Sequence, residues 1–126
     1  MFVDANGLHE LNDAKGHDAG DLLLITVAKA ITGRFAAKDT YRIGGDEFIV
    51  LCPDTPIEDV REGIRGIIRE VEAATYSVSI GAACQEKAEL DLRGLVREAE
   101  HYMYKEKRRY YEQGGHDRRN RVLSQA

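Results

Sequence analysis

The chain has little of what would place it in several common protein classes. Its 126 residues include only two cysteines, Cys52 and Cys84, and they show no metal-ligand spacing. Both fall in apolar, strand-like stretches. They are therefore expected as buried, reduced thiols of a cytosolic protein rather than as a disulfide. No apolar run approaches the roughly 20 residues that a membrane helix needs, and no signal-peptide pattern opens the chain. Excess basic charge is also missing: a formal net charge of -4 argues against a general nucleic-acid binder. Internal repeats and low-complexity tracts are absent. What is left is 43% hydrophobic and 32% charged, an ordinary soluble balance, in one domain spanning 1–126 with room for a genuine core. The basic residues gather near the C-terminus, at Lys105, Lys107, Arg108, Arg109, Arg118, Arg119 and Arg121. They read either as a solvated helix face or as a cationic wall near phosphates.

Periodicity supplies an element order. Phe2-Val3 begins a buried strand that ends at Asp4, and Leu8 and Leu11 suggest a short helix before Gly16. Asp18, with Asp21 three residues on, resembles a capping box with a shorter acid. Leu22, Leu23, Val27, Ala30 and Ile31 then form a helical stripe ending near Gly33. Thr40 to Ile43 and Glu47 to Cys52 read as the arms of a hairpin. Val60, Ile64, Ile67, Ile68 and Val71 recur at helical spacing, Thr75 to Ala83 reads as a strand, and Leu92 to Tyr111 as a long helix stopped by Gly114-Gly115. A short strand is expected at Asn120 to Leu123. This order predicts an antiparallel-rich sheet with helices packed on it, an α+β sandwich.

The hairpin carries the strongest local signal. Between its arms stands Gly44-Gly45-Asp46-Glu47-Phe48. Gly-Gly favours a two-residue turn because both positions take φ > 0 without a Cβ clash, and it leaves bare backbone for a ligand. Fixed acids beside such a turn suit a phosphorylated ligand carrying a divalent cation. Read alone, this is still a hairpin with acids beside it, and strand-end and turn acids are common.

The five residues are, letter for letter, the signature of the GGDEF-domain diguanylate cyclases, and the rest of the chain resembles that family in order and spacing. Val3-Asp4-Ala5-Asn6-Gly7-Leu8-His9-Glu10-Leu11-Asn12-Asp13, then Gly16-His17 and Gly20-Asp21, is similar to Asp-x-(Asp/Asn)-x-(Phe/Leu)-Lys-x-x-Asn-Asp followed by Gly-His and Gly-Asp. Ser77 to Ala83 resembles the family's Ser-x-Gly strand. Ala99-Glu100 and Met103-Tyr104-Lys105-Glu106-Lys107 resemble its last helix. The likeness runs from about the first residue to about Lys107, and it is least specific between Pro53 and Tyr76.

The resemblance implies the palm-like, ferredoxin-related fold of nucleotidyl cyclases, and condensation of two GTP into cyclic di-GMP in bacterial signalling. It implies Mg²⁺ (or Mn²⁺) held by Asp4 and Asp46, with the Ala5 carbonyl assisting and Glu47 contacting a second ion. Asp46 resembles the acid that helps deprotonate the attacking hydroxyl, and Lys107 the lysine that binds phosphate. Asn12 and Asp21 resemble the guanine readers; a carboxylate accepts from guanine N1–H and N2–H₂, and an amide serves as donor or acceptor. Gly44, Gly45, Leu8 and His9 complete the expected GTP-binding set. Two subunits must face each other, so a transient homodimer is implied. So is a missing N-terminal sensory or dimerisation domain, because the family's Leu-Thr-Gly-rich lead-in does not precede Val3. The expected location is the cytoplasm, either free or as the cytoplasmic part of a membrane-anchored parent, without direct membrane or nucleic-acid contact.

Three departures stand out. His9 replaces a lysine close to the phosphates, and an imidazole is a weaker counter-charge than an ammonium. Tyr111 replaces an arginine four residues after Lys107. The stretch Phe35-Ala36-Ala37-Lys38-Asp39 lacks the upstream Arg-x-x-Asp of the family's product-inhibition site. Diguanylate cyclase is the leading expectation. A GTP-binding regulatory domain that no longer cyclises is the alternative, with a purely structural domain and a cyclase of another nucleotide behind it.

Overall fold

The computed structural model describes residues 1–113. Four strands alternate with helices: β1 (Phe2–Ala5), α1 (Leu8–Lys15), α2 (His17–Thr32), β2 (Thr40–Arg42), β3 (Glu47–Val50), α3 (Ile57–Ala73), β4 (Val78–Gly81) and α4 (Leu92–Glu112). The sheet order is β2-β3-β1-β4, and every neighbouring pair is antiparallel. That is the ferredoxin-like arrangement, in which β3 separates β1 from β2. The α+β expectation holds.

Side-chain alternation along β1 assigns the two faces. Val3 and Ala5 point into the main core with Leu23, Val27 and Ile31 of α2, Ile67 and Val71 of α3, and Phe48 and Val50 of β3. Phe2 lies on the other face, where Ala99 and Met103 of α4 cover it and Ile49 packs alongside. Asp4, two residues after Phe2, shares that second face and meets α4 there. The sheet is therefore a filling between α2/α3 and α4, with its one deeply buried acid on the α4 side.

Glycines fix how closely these layers approach. A Cβ on Gly81 would lie 2.1 Å from Ala99 O and 2.2 Å from Met103 N, so α4 rests directly on β4 backbone. In α3, Gly63 receives the Phe35 ring and Gly66 the Arg34 guanidinium, which also pairs with Glu70 at 2.9 Å. Near the start of β1 lies an apolar groove of about 630 Å³, lined by Phe2, Ile49, Cys52, Ala83 and Val96 among others. None of the candidate site residues lines it; the acids sit toward the other end of β1.

Several expectations need correcting. Asp18 is not an N-cap: α2 starts at His17 behind Gly16, whose φ of 87° requires glycine, and no side chain caps it. Asp18 instead occupies the first turn, where its charge suits the helix dipole. Leu22 is 59% exposed; the buried stripe uses Leu23 and Leu24. Cys52 is half-buried and Cys84 exposed, both as free thiols, because the strand regions end before each of them. The expected tail strand at Asn120 to Leu123 and the Gly114-Gly115 stop lie outside the described residues.

Candidate nucleotide and cation site

The hairpin joins β2 to β3 through a loop whose geometry differs from the expected two-residue turn. Neither Gly44 nor Gly45 has a positive φ. The Ile43 amide donates to Glu47 O at 2.9 Å, leaving Gly44, Gly45 and Asp46 as the loop. Arg42 holds it from beneath: Nε donates to Gly44 O at 3.1 Å, and Nη2 to Gly45 O at 2.7 Å. This side-chain clamp does what left-handed glycines would have done. The bare faces of the glycines serve closeness instead, since a Cβ on Gly44 would sit 3.0 Å from Glu47 Oε1, and Gly45 opens on free space.

The loop is tied to the end of β1. The Ala5 amide donates to Asp46 O at 2.8 Å, and Asp4 stands directly opposite Glu47 of β3 and Ser79 of β4. Three carboxylates, Asp4, Asp46 and Glu47, are thus gathered at one end of a three-strand platform. Asn6 is buried just beyond. Its Nδ2 donates to Ser77 Oγ at 3.0 Å and its Oδ1 accepts from Ser79 Oγ at 3.1 Å, which fixes the turn from β1 into α1.

Across this platform runs α4. Lys107 Nζ donates to Asp4 Oδ1 at 3.0 Å, a contact between residues 103 apart in sequence. The reach follows from packing. Met103 and Ala99 sit over Phe2 and Gly81, and four helical residues advance about 6 Å, close to the ~6.7 Å of two strand residues from Phe2 to Asp4. Burial pushes the Asp4 carboxyl up to about 6; the bond and charge of Lys107 pull it down, and Asp46 and Glu47 push it up again. Glu47 is also raised, first by burial and then by Asp46 and Glu100. For Lys107, burial works against the ammonium, but the bond to Asp4 and the surrounding acids outweigh it and leave the pKa raised.

Glu100 and Tyr104 enter the site without having been singled out from sequence. The Tyr104 phenol is raised by burial and by the charges of Glu47, Glu100 and Asp4. Residues 100, 104 and 107 lie at i, i+4 and i+7 on one helix face. Counting back by helical turns from Lys107 would have found them.

The second half of the candidate site is the α1–α2 corner. Asn12 is on α1, and its Oδ1 is buried without a hydrogen-bond partner. It is seated against Gly20 of α2, where a Cβ would lie 1.8 Å from that oxygen and 2.9 Å from Leu8 Cδ1. Leu8 and Asn12, one turn apart, therefore both depend on the missing side chain at Gly20. A buried acceptor left open in this way can take an N–H from outside the chain. Asp21 follows Gly20 in the first turns of α2 and is exposed. His9 points away: its side chain is 79% exposed and Nε2 lies 3.4 Å from Asp13 on the next turn. The last departure, Tyr111, stands one turn beyond Lys107.

Among the described residues, no three carboxylate, imidazole or thiolate groups converge tightly enough to form a metal site by themselves. The donor chemistry nevertheless fits a hard divalent cation. Mg²⁺ is typically held by one or two carboxylates plus substrate phosphates, and a cationic ammonium already lies against Asp4.

Comparison with known proteins identifies the family. The family described as "Diguanylate cyclase, GGDEF domain" matches residues 1–113. Diguanylate cyclase DgcM of Escherichia coli is 30% identical over 131 residues, covering 98% of this chain and 30% of its own length. The crystal structure of the GGDEF domain of TpbB from Pseudomonas aeruginosa superposes with a TM-score of 0.71 at 31% identity, over 86% of this chain and 74% of that one. The GGDEF domain of DgcB from Caulobacter crescentus, solved with c-di-GMP, gives 0.70 at 26% identity, over 85% and 70%. The chain thus spans less than a third of the DgcM sequence. With its signature loop, four-stranded sheet and matched residues 1–113, the chain belongs to the GGDEF-domain family of diguanylate cyclases.

Proposed function

We propose that this domain condenses two GTP into cyclic di-GMP and two pyrophosphates, one GTP being held by each of two facing subunits. The observation that carries the reading is the carboxylate platform of Asp4, Asp46 and Glu47 beside a bare glycine loop, with Lys107 reaching it from α4. Each 3′-hydroxyl attacks the α-phosphorus of the GTP on the other subunit; its proton leaves and the bond to pyrophosphate breaks. Such a reaction needs positioning and charge stabilisation more than covalent help from the protein.

Asp4 and Asp46 would hold Mg²⁺ with the Ala5 carbonyl, and Glu47 would face a second ion. A bound divalent cation supplies charge neutralisation at the phosphates and orients the leaving group. Asp46, on the loop, would take the proton of the attacking hydroxyl. Lys107 answers phosphate charge, and Gly44 and Gly45 let the nucleotide approach the backbone. At the other corner, Asn12 Oδ1 accepts from the guanine edge and Asp21 supplies a second acceptor. Leu8 packs beneath, next to Gly20.

A second reading keeps GTP binding but not turnover, making the domain a regulator of an attached module. The outward-facing His9 and the tyrosine at 111 favour it, since both remove a fixed positive charge near the phosphates. Calorimetry with GTP and ATP, run beside product chromatography, separates the readings. Binding of GTP over ATP with cyclic di-GMP formed supports the cyclase. The same binding without product selects the regulator, and no GTP binding defeats both.

A further inference from the structure

Asp4 already has a cation among the protein's own side chains. Its side chain is 3% exposed, and its one ion-pair partner among the described residues is the Lys107 ammonium at 3.0 Å. The lysine is not there by chance of a floppy side chain. Met103, one turn earlier, is fully buried, and Gly81 lets the α4 backbone sit on β4, so the root of Lys107 is fixed over β1. Around the pair stand Asp46 and Glu47 on the hairpin, and Glu100, Tyr104 and Tyr111 on α4. One ammonium therefore serves several carboxylates, and it bonds the most buried of them.

We propose that Lys107 is a resident stand-in cation that occupies Asp4 until a metal–nucleotide complex arrives. It then gives up the carboxylate and moves its charge to the phosphates. This deepens the cyclase reading and rests on Asp4 being a cation ligand. The charge count explains why the exchange runs only with nucleotide. A free divalent ion must displace Lys107 from its one bond and leave the half-buried ammonium beside a second cation, which is costly. A triphosphate brings several negative oxygens for the ammonium to bond as it leaves. The site would thus admit cation and nucleotide as a unit and bind the free cation poorly. The effect of Lys107 on cation binding thus changes sign with the ligand.

The test is Mn²⁺ binding to the full 126-residue chain, read by electron paramagnetic resonance without nucleotide. The variants are Lys107→Met, Asp4→Asn and, as a charge-matched control on the same helix, Lys105→Met. Lys107→Met is expected to bind free Mn²⁺ about tenfold more tightly than wild type, a shift of ~1.4 kcal/mol. It should also bind GTP more weakly in the presence of Mg²⁺. Lys105→Met should stay within about twofold of wild type, as expected for an exposed charge. Lys107→Gln, which keeps a donor for Asp4, gives the same readout if the methionine variant is unstable. Equal free-Mn²⁺ affinity in wild type and the Lys107 variants overturns the proposal while leaving the cyclase reading intact, provided Asp4→Asn loses binding. An equal gain in Lys105→Met also overturns it, as a general charge effect. Absence of Mn²⁺ binding in every variant without nucleotide overturns the proposal, and its absence with GTP present as well overturns the cation site on which the cyclase reading stands.

Discussion

Lys107 on the last helix donates to Asp4 at the end of the first strand, across 3.0 Å and 103 residues of sequence. This bond joins the two ends of the described chain at the point where the acids gather. Burial nevertheless dominates Asp4, whose carboxyl sits near 6 despite the ammonium beside it.

Cation binding should therefore depend on pH. Asp4 must be ionised to ligate, so affinity is lost as pH falls through about 6. Mn²⁺ affinity measured with GTP present should be level above pH 7 and fall roughly tenfold for each unit well below 6. A flat profile from pH 5 to 8 would argue against Asp4 as a ligand.

The same shift makes a stability prediction of opposite sense. A carboxyl raised on folding from 3.8 to about 6 contributes stability that is complete below the unfolded value and lost as pH rises through the folded one. Asp4→Asn should then stabilise the ligand-free domain at pH 8, by up to about 3 kcal/mol, the pull of Lys107 being already contained in the shift. The gain should shrink toward pH 4. Urea unfolding at the two pH values measures it, and a larger gain at pH 4 would be the wrong sign.

Gly20→Ala tests the nucleotide corner separately from the acids. The added methyl collides with Asn12 Oδ1 and Leu8, so both must move. GTP affinity should drop at least about tenfold if an orphaned buried acceptor reads the base. Free Mn²⁺ binding, which depends on Asp4, should not change. Unaltered GTP affinity would remove Asn12 from the base-reading role.

Gly81→Ala should act on the whole platform. Its new Cβ meets α4 backbone rather than a flexible side chain, so the helix itself must lift. Overpacking of this kind costs roughly 1–3 kcal/mol. Chemical denaturation should show that loss, together with weaker GTP binding because Lys107 is displaced with the helix.

Product feedback should be weak. By the family resemblance, the stretch Phe35 to Asp39 lacks the expected Arg-x-x-Asp, and the Phe35 ring is packed over Gly63 of α3. Calorimetric titration with cyclic di-GMP should show no tight site; a tight one would contradict the reading.

Much of this was legible in the sequence. The stripe Val60, Ile67, Val71 gave α3, because periodicity reports which face is buried, and the apolar pair Phe2-Val3 gave the start of the first strand. The acids and Lys107 were expected from the family resemblance, and folding brings Lys107 against Asp4. Contacts formed by folding were not legible. Nothing local tells that Gly20 seats Asn12 or that Gly81 sets the height of α4. The hairpin misled for a related reason. Gly-Gly suggested left-handed backbone, but Arg42, a side chain two residues away, supplies the bonds that close the loop.

The central claim is that the acid platform carries out nucleotidyl transfer between two copies of the domain. Fusing the chain to a dimerising coiled coil and following GTP with Mg²⁺ by chromatography tests it most directly. Cyclic di-GMP should form in the fused dimer and be lost in the same dimer carrying Asp46→Ala. A folded dimer that binds GTP yet yields no cyclic di-GMP, with Asp46→Ala indistinguishable from it, would contradict the account.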